Sequence, residues 1–181
     1  MGDYRVEIRD AKTGKIIEQR MLRNYAVRRN GNIRCGDLTF IPDNLKITAR
    51  DATTGKIVQE ESIHNIVTNA GMNLLRDFLK GDAVTGITHI GVGTGTNSPS
   101  STDTTLGTEV FRAAITAATA AAQKLTITYT LPSASANGNS LTEAGLFTAS
   151  SSGTMYARAT HSLIAKTSDK VISYTWELTW V

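Results

Sequence analysis

The residues best suited to chemistry in this chain are two carboxylates set in apolar strands, three histidines, a single cysteine and a glycine-rich turn. Glu109 opens Glu109-Val110-Phe111-Arg112, and Glu143 opens Glu143-Ala144-Gly145-Leu146-Phe147. Two carboxylates brought to within about 5–10 Å of each other can hydrolyse a glycosidic bond. Each acid has an arginine available, Arg112 or Arg158, so ion pairing or capping inside the fold is the expected use. His64, His89 and His161 are never three or four residues apart, and none neighbours Cys35, so no metal-ligand spacing exists. His89 alternates with apolar Ile87 and Ile90, as a packed or edge residue of a strand would. One cysteine forms no internal disulfide. No serine stands in Gly-x-Ser-x-Gly.

Gly91-x-Gly93-x-Gly95 follows a strand, as a dinucleotide fingerprint would. That fingerprint needs its third glycine at Thr96 and then a helix, whereas Asn97-Ser98-Pro99-Ser100-Ser101 continues as loop. A tight turn with close backbone packing is expected instead. Asp-Ala-x-Thr-Gly-Lys occurs twice, ending at Lys15 and Lys56. A phosphate-binding loop would need glycine where Arg9 and Arg50 stand, and a hydroxyl where Ile16 and Ile57 stand. No catalytic, cofactor-binding or metal-binding residue is therefore assigned, and an enzyme is not expected.

The elements that carry these residues are mostly strands. Val6 to Ile17 recurs as Ile47 to Val58, 41 positions later, each copy a strand, a turn and a strand. In the turn, Asp bonds the backbone two residues on and Gly takes the left-handed position. Tyr4, Val6 and Ile8, and again Leu45, Ile47 and Ala49, alternate with polar residues in the period of a half-buried strand. Asn30-Gly31-Asn32 and Cys35-Gly36-Asp37 signal turns, and Pro42 excludes a central strand there. A helix is expected at about 69–80, capped by Thr68 or Asn69 and stopped by Gly81, with Met72, Leu75 and Leu79 as an apolar stripe flanked by Leu74 and Phe78. Ala113 to Ala122 suits a helix or a short strand with a loop. Leu125 to Leu131, Glu143 to Phe147, Met155 to Thr160 and Ile172 to Trp180 are strands separated by turn clusters. The expected fold is mainly β: an antiparallel sandwich with one short helix over residues 62–181, preceded by an arm of two hairpins over 1–61.

Length and charge narrow the class. The chain has 181 residues, 40% of them apolar, with a net charge of +3. No apolar run reaches membrane-spanning length, and the polar, charged start is unlike a secretory leader. Residues 1–65 hold 12 Lys/Arg against 9 Asp/Glu, and residues 66–181 hold 7 against 7. Arg20, Arg23, Arg28, Arg29 and Arg34 make the best basic patch. With Tyr25 alone among them, nucleic-acid binding is not expected.

The order of motifs from residue 62 onward resembles a known family. A helix, I-T-H-I-G-V-G-T-G-T, L-G-T-E-V-F-R, L-T-I-T-Y-T-L-P, L-T-E-A-G-L-F and M-Y-A-R-A-T-H is similar to tail-fibre base (collar) domains and related small virion proteins of tailed bacteriophages. The resemblance implies a non-enzymatic structural component of the virion in the tail, baseplate or fibre attachment, assembling with itself and with other virion proteins. Fibre proteins of that kind continue into a long shaft, whereas Val181 ends this chain, so an adaptor, a baseplate or tail-tip component, or a capsid decoration protein is expected. A carbohydrate- or receptor-binding module is the alternative from another class, with Trp176 and Trp180 as sugar-stacking candidates. Their alternation with Ile172 and Leu178 favours burial. The low charge of residues 66–181 suggests a trimer or hexamer built through the β domain, with the arm reaching a neighbour.

Overall fold

The computed structural model describes residues 44–179 with their side chains, and before them the backbone of five strands. The chain forms two compact units, one made largely of residues before 43 and the other of Asp43–Leu178.

In the first unit, β1 (Tyr4–Arg9) pairs antiparallel with β2 (Ile16–Leu22), Tyr4 opposite Leu22. This is the first copy of the repeat. A three-stranded antiparallel meander follows: β3 (Ala26–Arg29), β4 (Asn32–Cys35) and β5 (Leu38–Phe40). The two turn signals noted above fall between these strands. The side chains of Cys35, Tyr25 and the five arginines of the basic patch lie outside the described residues, as does Trp180.

The second unit contains β6 (Asn44–Asp51), β7 (Ile57–His64), β8 (Ile66–Val67), α1 (Asn69–Lys80), β9 (His89–Gly93), β10 (Glu109–Ala114), β11 (Ala117–Ala121), β12 (Lys124–Leu131), β13 (Ser140–Phe147), β14 (Met155–Ala165) and β15 (Lys170–Thr179). Two five-stranded antiparallel sheets, ordered β10-β9-β13-β14-β8 and β11-β12-β15-β6-β7, pack face to face as a β-sandwich. The alanine-rich segment is strand and not helix.

One boundary is corrected. The second hairpin, expected in the arm before residue 62, is β6 and β7, and both belong to the sandwich. The reason lies in the register. Ala49, Ile47 and Leu45 of β6 stand opposite Ile172, Tyr174 and Trp176 of β15, and all six are buried. Two period-two stripes from opposite ends of the unit thus form one apolar face, each large side chain contributing about 1.5–3 kcal/mol on burial. In the facing sheet, Ile90 and Val92 stand opposite Leu146 and Ala144, and all four are buried. The turn between β6 and β7 has the expected chemistry: Asp51 Oδ1 accepts from the amides of Thr53 and Thr54 at 3.1 and 2.7 Å, and Gly55 takes a φ of 70°.

Helix α1 begins and ends where its caps dictate. Thr68 Oγ1 accepts from the Gly71 amide at 2.9 Å, and Gly81, at φ 91°, donates to the carbonyls of Asp77 and Phe78. The seat of the helix differs from the expectation. Gly71 is its only buried residue, pressed against the backbone of Tyr156 in β14 so closely that no Cβ fits. Thr68 Oγ1 also donates to the Met155 carbonyl at 2.5 Å. The apolar stripe does not enter the core: Met72, Phe78 and Leu79 are 47%, 65% and 84% exposed.

Candidate functional site

A buried polar cluster is built around Glu143. Strand β13 carries it on the face opposite to core-facing Ala144 and Leu146, beneath the loop that holds Gly95, Gly107 and Thr108, where it has no solvent exposure. Five donors surround its carboxylate. The amides of Gly95 and Thr108 donate to Oε1, each at 2.8 Å, and the amide of Gly107 donates to Oε2 at 3.0 Å. Arg158, from the neighbouring strand β14, reaches Oε2 with Nε at 2.9 Å and Nη2 at 2.8 Å. The same guanidinium bonds Asp103 Oδ2 at 2.7 Å and the Asn97 carbonyl at 3.1 Å.

The glycine turn explains itself here. A Cβ on Gly93 or Gly95 would overlap the Glu143 carboxylate, and one on Gly91 would lie 2.8 Å from the Phe147 ring. These glycines let the 93–97 and 107–108 loops close over a buried anion. Burial by itself raises the Glu143 carboxyl above its ordinary range. The amides of Thr108 and Gly107, the Arg158 guanidinium and the Gly95 amide outweigh it, and the net direction is down. Glu143 is thus a fixed anion, with its lone pairs occupied. The shallow depression of about 350 Å³ beside it is walled by Asn97, Asp103, Leu106, Gly107 and Arg158, and Glu143 does not line it.

Glu109 is held separately. Arg112 binds it through Nε at 2.8 Å and Nη2 at 2.5 Å, and Arg112 Nη1 donates to the Ala149 and Ser152 carbonyls at 3.1 and 2.8 Å. Its guanidinium lies 3.5 Å over the Phe147 ring. The pair ties β10 to the 149–152 turn. Both carboxylates are ion-paired to the arginines named from the sequence, and the register sets Glu109 and Glu143 on either side of the same residue, Gly93 of β9.

The histidines stay apart in role. His64 is exposed. His89 sits between β10 and β13, opposite Ala114 and Phe147, its Nδ1 2.8 Å from Thr88 Oγ1. His161 is buried, its Nδ1 2.8 Å from the Ser162 carbonyl and its ring 6.2 Å from that of Tyr174. Burial pushes its pKa down against the pull of that carbonyl and of Glu61 and Glu143. Among the described residues no cluster of three His, Cys, Asp or Glu side chains could hold a metal ion, and no helix is long and apolar enough to cross a membrane. Trp176 is 1% exposed and offers no face to a sugar.

No protein-family model, curated protein or solved structure matches this chain.

Sequence reasoning missed two polar anchors. Asp103 lies 55 positions from Arg158 in a loop without a distinctive motif. Lys166, also buried, donates to the Ser133 and Thr167 carbonyls at 3.0 Å each and to Asn137 Oδ1 at 2.8 Å, fixing the 132–139 loop. Arg158 for Asp103, and Ser133 and Asn137 for Lys166, come from remote segments that no local motif reveals. Among the described residues, the large apolar side chains left exposed are Met72, Phe78 and Leu79 on α1 and Ile57, Val58, Ile66 and Leu163 on strands.

Proposed function

We propose that this chain is a non-enzymatic structural component of a tailed bacteriophage particle, placed in the tail, baseplate or fibre-attachment region. It assembles by protein–protein contacts with copies of itself, as a trimer or hexamer, and with other virion proteins. The observation that carries the reading is the outward apolar side of α1, with Phe78 and Leu79 largely exposed beside the exposed Met72. Large apolar side chains grouped on one exposed element mark a protein contact. The buried polar centre supports the same reading, since Glu143, Arg158 and Asp103 hold loops together and Glu109 is tied to Arg112. The motif order shared with tail-fibre base domains supplies the particle.

An antibody raised against the purified chain, applied to negatively stained particles, tests this. Gold at the tail or baseplate is the expected result. Gold confined to the head selects a capsid decoration protein, and particles free of the chain by mass spectrometry overturn the proposal.

A further inference from the structure

The sandwich has four sheet edges, and three are guarded. β10 carries the Glu109–Arg112 ion pair and a register break. β8 has two residues and runs into α1. β7 carries Glu60 and Glu61 and is tied across to β14, where Glu61 Oε2 accepts from the Ser162 amide at 2.9 Å and Gln59 Nε2 donates to the Leu163 carbonyl. Charges, bulges, short length and covering segments are the devices that keep sheet edges from pairing.

The fourth edge, β11, has none of them. It pairs with β12 on one side only, Ala117 opposite Thr128 through Ala121 opposite Lys124. All five of its residues are exposed, so both faces of the strand stand clear of the core. In an antiparallel ladder alternate residues turn their N–H and C=O toward the partner strand. The remaining ones on β11 therefore point outward, with no strand partner among the described residues. The strand contains no charge, no proline and no bulge.

Its sequence names the occupant. Ala117-Ala118-Thr119-Ala120-Ala121 reads the same in both directions. An isologous contact places one surface patch against itself across a two-fold axis. Antiparallel pairing centred on Thr119 would set Thr119 opposite Thr119 and each Ala118 opposite the other copy's Ala120. Every facing side chain is then small and uncharged, and threonine opposite threonine is a favourable cross-strand pair. We propose that β11 is a self-association edge, through which two copies join their five-stranded sheets into one continuous sheet. A two-fold contact is absent from a cyclic trimer and present in a hexamer of two trimers, so this edge selects the hexamer among the assemblies proposed above. The open edge of β11 is independent of which particle the chain belongs to.

The test is light scattering of the full chain across the micromolar range, for wild type, Thr119→Lys, Thr119→Glu and an equimolar mixture of the two variants. Wild type is expected to form an even-numbered species. Each variant alone, with like charges facing across the axis, is expected to associate about tenfold more weakly or worse. The mixture is expected to recover association, because Lys then faces Glu. Recovery also shows that both variants are folded. A wild type that stays monomeric or forms only trimers overturns the proposal, as does a Lys variant that keeps the wild-type mass, or a mixture that fails to recover. Those outcomes leave the particle assignment standing, since that is read from gold labelling and particle composition.

Discussion

Arg158 Nη2 lies 2.8 Å from Glu143 Oε2 with both side chains sealed from solvent, and the pair joins adjacent strands while holding two loops by their amides. Removing one member of a buried, hydrogen-bonded pair leaves the other charge stranded, at a cost of about 3–5 kcal/mol. Glu143→Ala is expected to lose stability on that scale by calorimetry or urea titration. A loss no larger than that of a surface ion pair, under about 1 kcal/mol, would show the pair to be dispensable.

Stability should fall on acidification in two stages. His161 has a folded pKa below its ordinary 6.5 because it is buried. As pH drops below about 6.5 the unfolded chain takes up the proton more readily, and stability declines. Glu143 has a folded pKa below its ordinary 4.5: burial pushes it up, but the amides of Thr108 and Gly107 lead the interactions that pull it lower. Its contribution is complete above the unfolded value and is lost as pH falls through the folded value. Unfolding midpoints against pH should therefore bend near pH 6.5 in wild type but not in His161→Gln. Glu143→Gln should flatten part of the decline below about pH 4.5. Identical profiles for all three would refute both assignments.

Truncation separates the observed unit boundary from the one expected at residue 62. A chain starting at Asp43 keeps β6 and β7 and is expected to unfold cooperatively with β-rich circular dichroism. One starting at Ser62 lacks Leu45, Ile47 and Ala49, three buried residues opposite β15, and is expected not to fold. A cooperative transition in the shorter chain would contradict the role given to β6.

Helix α1 offers a contrast between its seat and its exposed side. Gly71→Ala forces a methyl group into the Tyr156 backbone and is expected to cost about 1–3 kcal/mol. Phe78→Ser with Leu79→Ser touches exposed positions, where stability changes stay within about 0.5 kcal/mol each, while incorporation into particles is expected to fall. Equal incorporation of the double variant in a competition with wild type would remove α1 from the contact.

The division between what was legible in the sequence and what was not follows the range of each signal. The ends of α1 were legible because Thr68 and Gly81 act on amides and carbonyls within four residues. The strands were legible because alternation such as Ile172, Tyr174, Trp176 and Leu178 is a property of one segment. Glu109 and Arg112 would point to opposite faces of a regular strand, and the register break between Glu109 and Phe111 is what lets them pair. Alternation in Leu45, Ile47 and Ala49 is the same whether the hairpin stands in an arm or in a sandwich. Only register against β15 decides it. The apolar stripe of α1 likewise says that one side of the helix is apolar, not that the chain itself covers it. Of α1 only Gly71 is buried, against Tyr156, and Phe78, two turns further along the same face, stays exposed. Glu143 could be suspected as buried from its apolar neighbours. Its five donors come from Gly95, Gly107, Thr108 and Arg158, segments brought together by sheet topology, so the ion pairing or capping expected of it received its partners only from the tertiary structure.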